Sequence, residues 1–167
     1  LDPTLAKRRT LAALAEELAP ERRLRSLALA NGVFDLFHVG HLRYLEAAAR
    51  EAELLVVAVN SDASTRAYKG PDRPVVPEDE RAEILCGLAC VDRVVVFDAP
   101  SVVRIIEALR PEVHAKGTDY EPATVPERHV VAAYGGRVAI CGDPKDHSSS
   151  ALIEALPRGR EPGEGGG

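Results

Sequence analysis

The sequence predicts an α/β fold: a parallel sheet between two layers of helices, three layers in all. Three observations predict it. Apolar strand-like runs recur along the chain at Ser26–Ala30, Leu54–Val59, Arg93–Phe97, Glu112–Lys116 and Arg137–Cys141. Helical patterns of about ten residues separate them, the spacing of β-α-β units, which implies parallel pairing. Leu54–Val59 (LLVVAV) is apolar at every position, as a strand covered on both faces must be.

Taken in order, residues 1–23 form an N-terminal helical segment, 24–156 the main domain, and 157–167 a Gly/Pro/charge-rich tail (PRGREPGEGGG) that reads as disordered. In the first segment Thr4–Leu18 is expected as a helix with Leu11, Leu14 and Leu18 on one stripe, stopped by Pro20. Arg22, Arg23 and Arg25 read as a solvated basic turn. The first strand runs into Asn31-Gly32-Val33-Phe34-Asp35-Leu36-Phe37-His38-Val39-Gly40-His41, and a helix is expected over Leu42–Arg50. Residues 60–77 are expected as a loop at a strand's carboxyl end, stiffened by Pro71, Pro74 and Pro77 and carrying the cations Lys69 and Arg73. Glu78–Leu88 reads as a helix with Ile84, Leu85 and Leu88 on its core face, and Val102–Leu109 as one capped by Ser101. Ala123–Tyr134 is expected to be helical up to Gly135-Gly136. A short final helix covers Ala151–Leu156.

Composition excludes several function classes. The 167 residues are 46% hydrophobic and 28% charged, so one ordinary globular core is expected. Net charge is −5 and aromatics are 4%, with no Trp, which speaks against nucleic-acid binding. No run approaches the roughly 18 apolar residues of a membrane helix. Cys86, Cys90 and Cys141 form no disulfide framework; Cys86 and Cys90, four apart on one helix face, read as small buried hydrophobes. Free thiols suit a cytoplasmic location.

The chemistry concentrates in residues 31–41. Strand, Gly-bearing turn and helix start is the layout that binds phosphate through backbone N–H groups and the helix dipole. His38 and His41, three residues apart, share one face of the first turn, and Gly40 between them permits close approach. Two imidazoles beside such a turn can hydrogen-bond the charge that builds on a phosphoryl group during in-line displacement. Lys69 and Arg73 are the cations expected to reach phosphates, with Arg81 a further candidate. Lys116-Gly117-Thr118-Asp119-Tyr120 forms a second turn at a strand end, where Asp119 suits a ribose hydroxyl, a base amino group or a metal. Ser148, Ser149 and Ser150 place hydroxyls at another helix start and make a second phosphate contact.

His38-Val39-Gly40-His41 resembles the H-x-G-H signature of the cytidylyltransferase-like nucleotidyltransferases, whose fold is Rossmann-like. The longer Asn31–His41 stretch is more similar to the heptose 1-phosphate adenylyltransferases of ADP-heptose synthesis. So are Val59-Asn60-Ser61-Asp62, Lys69-Gly70-Pro71-x-Arg73-Pro74-Val75, Glu80–Leu85 and Lys116–Tyr120. One segment departs: Asp146-His147 precedes Ser148–Ser150 where that family usually carries Gly-Arg or Gly-Ile before its Ser-Thr-Thr.

The resemblance implies that a sugar 1-phosphate attacks the α-phosphorus of ATP and pyrophosphate leaves. It assigns His38, His41, Lys69 and Arg81 to catalysis. It gives nucleotide binding to Asn31, Gly32, Val33, Phe34, Asp35, Gly40, Lys116, Gly117, Asp119 and Ser148–Ser150. Mg²⁺ is expected with the triphosphate, without an assigned protein ligand; Asp35 is the nearest acid. The likeness further implies a homodimer and a stand-alone transferase supplied by a separate sugar kinase, with no nucleic-acid or membrane partner. Two alternatives stay open: a cytidylyltransferase acting on glycerol 3-phosphate or a similar polyol phosphate, and a non-catalytic nucleotide-binding module.

Overall fold

The computed structural model describes residues 5–143 and 153–154. Six strands form one sheet: β1 Arg8–Arg9, β2 Leu27–Gly32, β3 Leu54–Asn60, β4 Arg93–Phe97, β5 Val113–Gly117 and β6 Arg137–Cys141. All pairings are parallel, in the order β1-β4-β3-β2-β5-β6. The helices are α1 Leu11–Glu21, α2 Val39–Ala49, α3 Asp62–Lys69, α4 Glu78–Gly87, α5 Val103–Leu109 and α6 Arg128–Ala132. The α/β reading therefore holds.

Two apolar layers sandwich the sheet. Ala28, Ala30, Leu55 and Val57 face Leu45 and Ala48 of α2 and Ala82 and Leu85 of α4. Leu27, Leu29, Val56 and Ala58 face Leu14 and Leu18 of α1 and Ile105, Ile106 and Leu109 of α5. β3 is buried along its whole length, as its unbroken apolar run requires.

From β2 the chain builds outward through β3 to β4, then restarts on the other side of β2 with β5 and β6. The order reverses between β2 and β5. In open α/β sheets the crevice beyond the strand ends at such a reversal is where ligands bind. Residues 33–41 leave β2 there, and residues 118–120 leave β5 beside them.

Several expectations are corrected. Thr4–Leu18 is not one helix: Lys7–Arg9 extends to pair with β4, and Thr10 Oγ1 accepts from Ala13 N at 3.2 Å to start α1 only at Leu11. Pro20 lies within that helix, which ends at Glu21. Arg22 and Arg25 are not merely solvated: Arg22 grips the Glu112 carboxylate with both Nη atoms at 2.7 Å, and Arg25 donates to Glu53 O at 2.9 Å. Residues 62–69 are helix rather than loop, because Ser61 Oγ caps Ser64 N at 2.9 Å and Asp62 sits in the first turn. The helix before Gly135 shrinks to α6 because Pro126 forces Val125 to extended backbone (ψ 121°), leaving a 3₁₀ turn at Pro122–Thr124. Ile84 is exposed; the buried face of α4 carries Arg81, Ala82, Leu85 and Cys86. Cys90 lies past the end of that helix, so it shares no helix face with Cys86. No helix of the described residues is long and apolar enough to cross a membrane.

Candidate active site

α2 begins three residues earlier than the sequence suggests, and this sets the geometry of the H-x-G-H segment. His38 is the N-cap, in extended backbone, and His41 is the third residue of the helix. His38 Nδ1 accepts from Gly40 N at 3.1 Å, and His41 Nδ1 accepts from His38 N at 3.4 Å. The two side chains form a reciprocal capping box, satisfying donors at the helix end that have no intrahelical acceptor. The rings stack with centroids 3.9 Å apart, and His41 also lies against Phe34 and Phe37. A neutral ring whose Nδ1 accepts a hydrogen bond carries its proton on Nε2. Capping therefore selects the tautomer, with the proton of each neutral ring on Nε2.

The turn before α2 is strained where it must be. Phe34 (φ 54°) and Leu36 (φ 48°) occupy the left-handed region, which disfavours residues with a Cβ. Phe34 is held there by burial and by its stacking on Tyr44, 6.3 Å between centroids. Its ring folds back over Gly32, where an added Cβ would sit 3.3 Å from it. Tyr44 in turn donates to Ala115 O at 2.9 Å, fixing α2 to β5.

Asp35 faces inward. Its carboxylate accepts from Val75 N at 3.0 Å, Val76 N at 2.9 Å and Arg73 Nε at 2.9 Å, and the side chain is 2% exposed. Burial pushes this carboxyl up, but the Val76 and Val75 N–H groups and the Arg73 guanidinium outweigh it, and its pKa lies below the ordinary carboxylate value. Arg73 thus straps the segment before α4 to the signature turn.

Arg81 is placed under the site, not at its mouth. Its side chain is fully buried and donates to Val33 O at 2.5 Å, Asn60 O and Val76 O at 2.9 Å, and Asp62 Oδ1 at 2.7 Å. Lys69 ends α3 and is exposed, with its ammonium 5.8 Å from the Tyr68 ring centroid.

The second turn lies across the crevice. Tyr120 N donates to Gly117 O at 3.1 Å, closing a tight turn, and a Cβ on Gly117 would meet Asp119 Oδ1 at 2.9 Å. Thr118 Oγ1 donates to Asp143 O at 2.8 Å, bringing the chain that leaves β6 beside this turn. Asn31 Oδ1, at the end of β2, meets His114 Nε2 at 3.0 Å and Lys116 Nζ at 3.4 Å. Burial pulls Lys116 below the ordinary lysine value, against Glu127 and Asp119, which hold it up. His114 is fully buried; desolvation, helped by the Lys116 charge, brings its pKa down to about 3, so it is neutral. Neither His114 nor Glu127 stood out in the sequence. A lone polar residue inside the apolar Val113–Ala115 run was the only signal for the first, and the second had none.

The structure thus brings together His38 and His41, Asp35 and Arg73, and Asn31 and Lys116. Ser148, Ser149 and Ser150 lie outside the described residues. Among the described residues no group of three His, Cys, Asp or Glu side chains is spaced to hold a metal ion.

Comparison with known proteins identifies the family. A family model described as cytidylyltransferase-like matches residues 29–155. The chain is 45% identical over 152 residues to the bifunctional protein HldE of Syntrophotalea carbinolica, covering 90% of this chain and 31% of that protein. It is 46% identical over 155 residues to HldE of Geotalea uraniireducens, covering 92% and 32%. The chain therefore spans about a third of the length of these curated relatives. Among solved structures, the lipopolysaccharide core biosynthesis protein from Thermoplasma volcanium superposes with a TM-score of 0.59 at 27% identity, over 70% of this chain and 93% of that one. With the H-x-G-H pair at the sheet reversal and a family match spanning both turns, the chain belongs to the cytidylyltransferase-like family.

Proposed function

We propose that the chain transfers the adenylyl group of ATP to heptose 1-phosphate, giving an ADP-heptose and pyrophosphate. One observation supports the reading: two stacked imidazoles, each with its neutral-form proton on Nε2, stand at the start of α2 beyond the end of β2, and a helix start favours phosphate. A phosphate oxygen of the sugar phosphate attacks the α-phosphorus, and the bond to the β-phosphate oxygen breaks. Both partners are anionic, so catalysis consists of positioning and charge neutralisation. His38 and His41 donate to the α-phosphate as its charge grows. Lys69 is the ammonium group for the reacting phosphates, and Lys116 and the backbone of residues 32–34 support the nucleotide. Asp119 accepts from the ribose, and Ser148–Ser150 supply further phosphate contacts. Arg81 acts indirectly, as a positioning residue beneath the signature turn.

The Asp35 oxygens accept from Arg73, Val75 and Val76, so this acid is not assigned to Mg²⁺. A Mg²⁺ ion would arrive with the triphosphate, held by phosphate oxygens and water. The reading also includes a cytoplasmic homodimer.

A panel of ATP, CTP, GTP and UTP against heptose 1-phosphate, other sugar 1-phosphates and glycerol 3-phosphate, read by pyrophosphate release, tests this. ATP with heptose 1-phosphate is expected to turn over fastest. Faster turnover of CTP with glycerol 3-phosphate replaces the reading with a cytidylyltransferase. ATP binding without turnover of any acceptor makes the chain a non-catalytic module.

A further inference from the structure

On the sheet face away from α2, the ends of β2 and β5 carry a polar cluster set into an otherwise apolar layer. Leu29 and His114 are paired in register, and Asn31 and Lys116 follow two residues later on the same face. Asn31 Oδ1 takes His114 Nε2 at 3.0 Å and Lys116 Nζ at 3.4 Å. Two donors on that oxygen fix the carboxamide, so its Nδ2 is directed away from them. The Lys116 ammonium lies 4.5 Å from the Tyr120 ring centroid. Glu127, at the start of α6, is 8% exposed, and its charge acts on both Lys116 and Tyr120.

The cluster is not self-sufficient. Glu127 Oε2 and His114 Nδ1 are buried without a hydrogen-bond partner among the described residues. Lys116 and Glu127 are close enough to interact by charge, but among the described residues they form no direct ion pair. A buried carboxylate oxygen without a donor is costly, and its retention calls for a ligand. An anion does not suit it, because Glu127 repels one. A hydroxyl does, since it donates to the carboxylate while accepting from the ammonium.

We propose that Asn31, Lys116, Tyr120 and Glu127 form a polyol subsite, in which a sugar hydroxyl bridges the Lys116 ammonium and the Glu127 carboxylate. His114 is a positioning residue that holds the Asn31 carboxamide. The proposal deepens the adenylyltransferase reading and rests on it for the identity of the sugar. The hydroxyl comes from the acceptor sugar or from the ribose of ATP, and the two are separable.

The test is calorimetric binding to the full chain, wild type and Glu127→Gln, of heptose 1-phosphate, ATP and inorganic tripolyphosphate. The variant is expected to bind one of the two sugar-bearing ligands about 10-fold more weakly, the scale of a hydrogen bond to a charged group. Which one it is assigns the hydroxyl. Tripolyphosphate has no sugar, and removal of a negative charge beside Lys116 should leave its binding unchanged or tighter. Unchanged binding of both sugar-bearing ligands, or equal weakening of all three, overturns the subsite. Turnover is not read, so the proposed reaction stands or falls separately. Should Glu127→Gln fail to fold, Glu127→Asp, which shortens the reach and keeps the charge, is read on the same ligands for weaker sugar binding.

Discussion

An imidazole that commits its Nδ1 lone pair to a helix cap carries its neutral-form proton on Nε2, and the cap holds the ring in place. That is the position of both His38 and His41. The capping box is worth on the order of 0.5–2 kcal/mol to the helix start, while a preorganised donor on a developing phosphoryl charge is worth more, about 3–4 kcal/mol. The two roles are therefore separable by measurement. His41→Ala is expected to lower kcat by about 10²-fold or more while moving the urea midpoint only slightly. Lys69→Ala, at an exposed helix end, is expected to lower kcat on the same scale with no change in stability. Near-wild-type kcat in either variant removes that residue from the reaction. The spacing of the two histidines was legible in the sequence. Their tautomer was not, because it depends on α2 starting at Val39, and the sequence-based boundary fell three residues later.

At the scale of elements, the site is a meeting of four chain ends pinned by one buried guanidinium. Arg81 of α4 reaches the turn after β2 at Val33, the end of β3 at Asn60, the start of α3 at Asp62 and the segment before α4 at Val76. The second strap, Arg73 on Asp35, runs between the same turn and that same segment. Buried charge is tolerated here because every Arg81 nitrogen has an acceptor, and losing the hub leaves several carbonyls and Asp62 without it. Arg81→Ala is accordingly expected to cost about 3–5 kcal/mol of unfolding free energy, read by urea denaturation. A loss of kcat at unchanged stability would instead place Arg81 on the substrate. Sequence pattern found α4 and read Arg81 as a surface cation drawn to phosphate, because periodicity cannot tell a buried, fully bonded Arg from an exposed one. Residues 62–69 were missed for a related reason: their helix is signalled by the Ser61 cap and Asp62, and hardly by apolar periodicity.

For the whole molecule, the parallel sheet and its central strands were readable because continuous apolar runs leave few alternatives. The two-residue β1 was not, since Arg8-Arg9 carries no hydrophobic signal and owes its place to pairing with β4 and to ion pairs with Asp79 and Glu17. The polar cluster between β2 and β5 was half legible: Asn31 and Lys116 stood in recognisable turns, while His114 and Glu127 acquire meaning only from burial. His114 gives that cluster a consequence for global stability. Its pKa in the fold is about 3, depressed by desolvation and then by Lys116, whereas an exposed histidine titrates near 6.5. Between those values the unfolded chain takes up a proton that the native protein refuses. The contribution is thus fully present above about pH 6.5 and is lost as pH falls toward 3, with a slope approaching 1.4 kcal/mol per pH unit. The inward carboxyl of Asp35 has a lowered pKa and begins to weaken the fold only below its ordinary range, near pH 4. His114 therefore contributes to the window from about pH 4.5 to 6.5. Urea unfolding across that window is expected to show stability rising with pH in the wild type and a flatter profile in His114→Leu. Equal slopes in the two proteins would mean that another group controls this limb and that His114 is protonated in the fold.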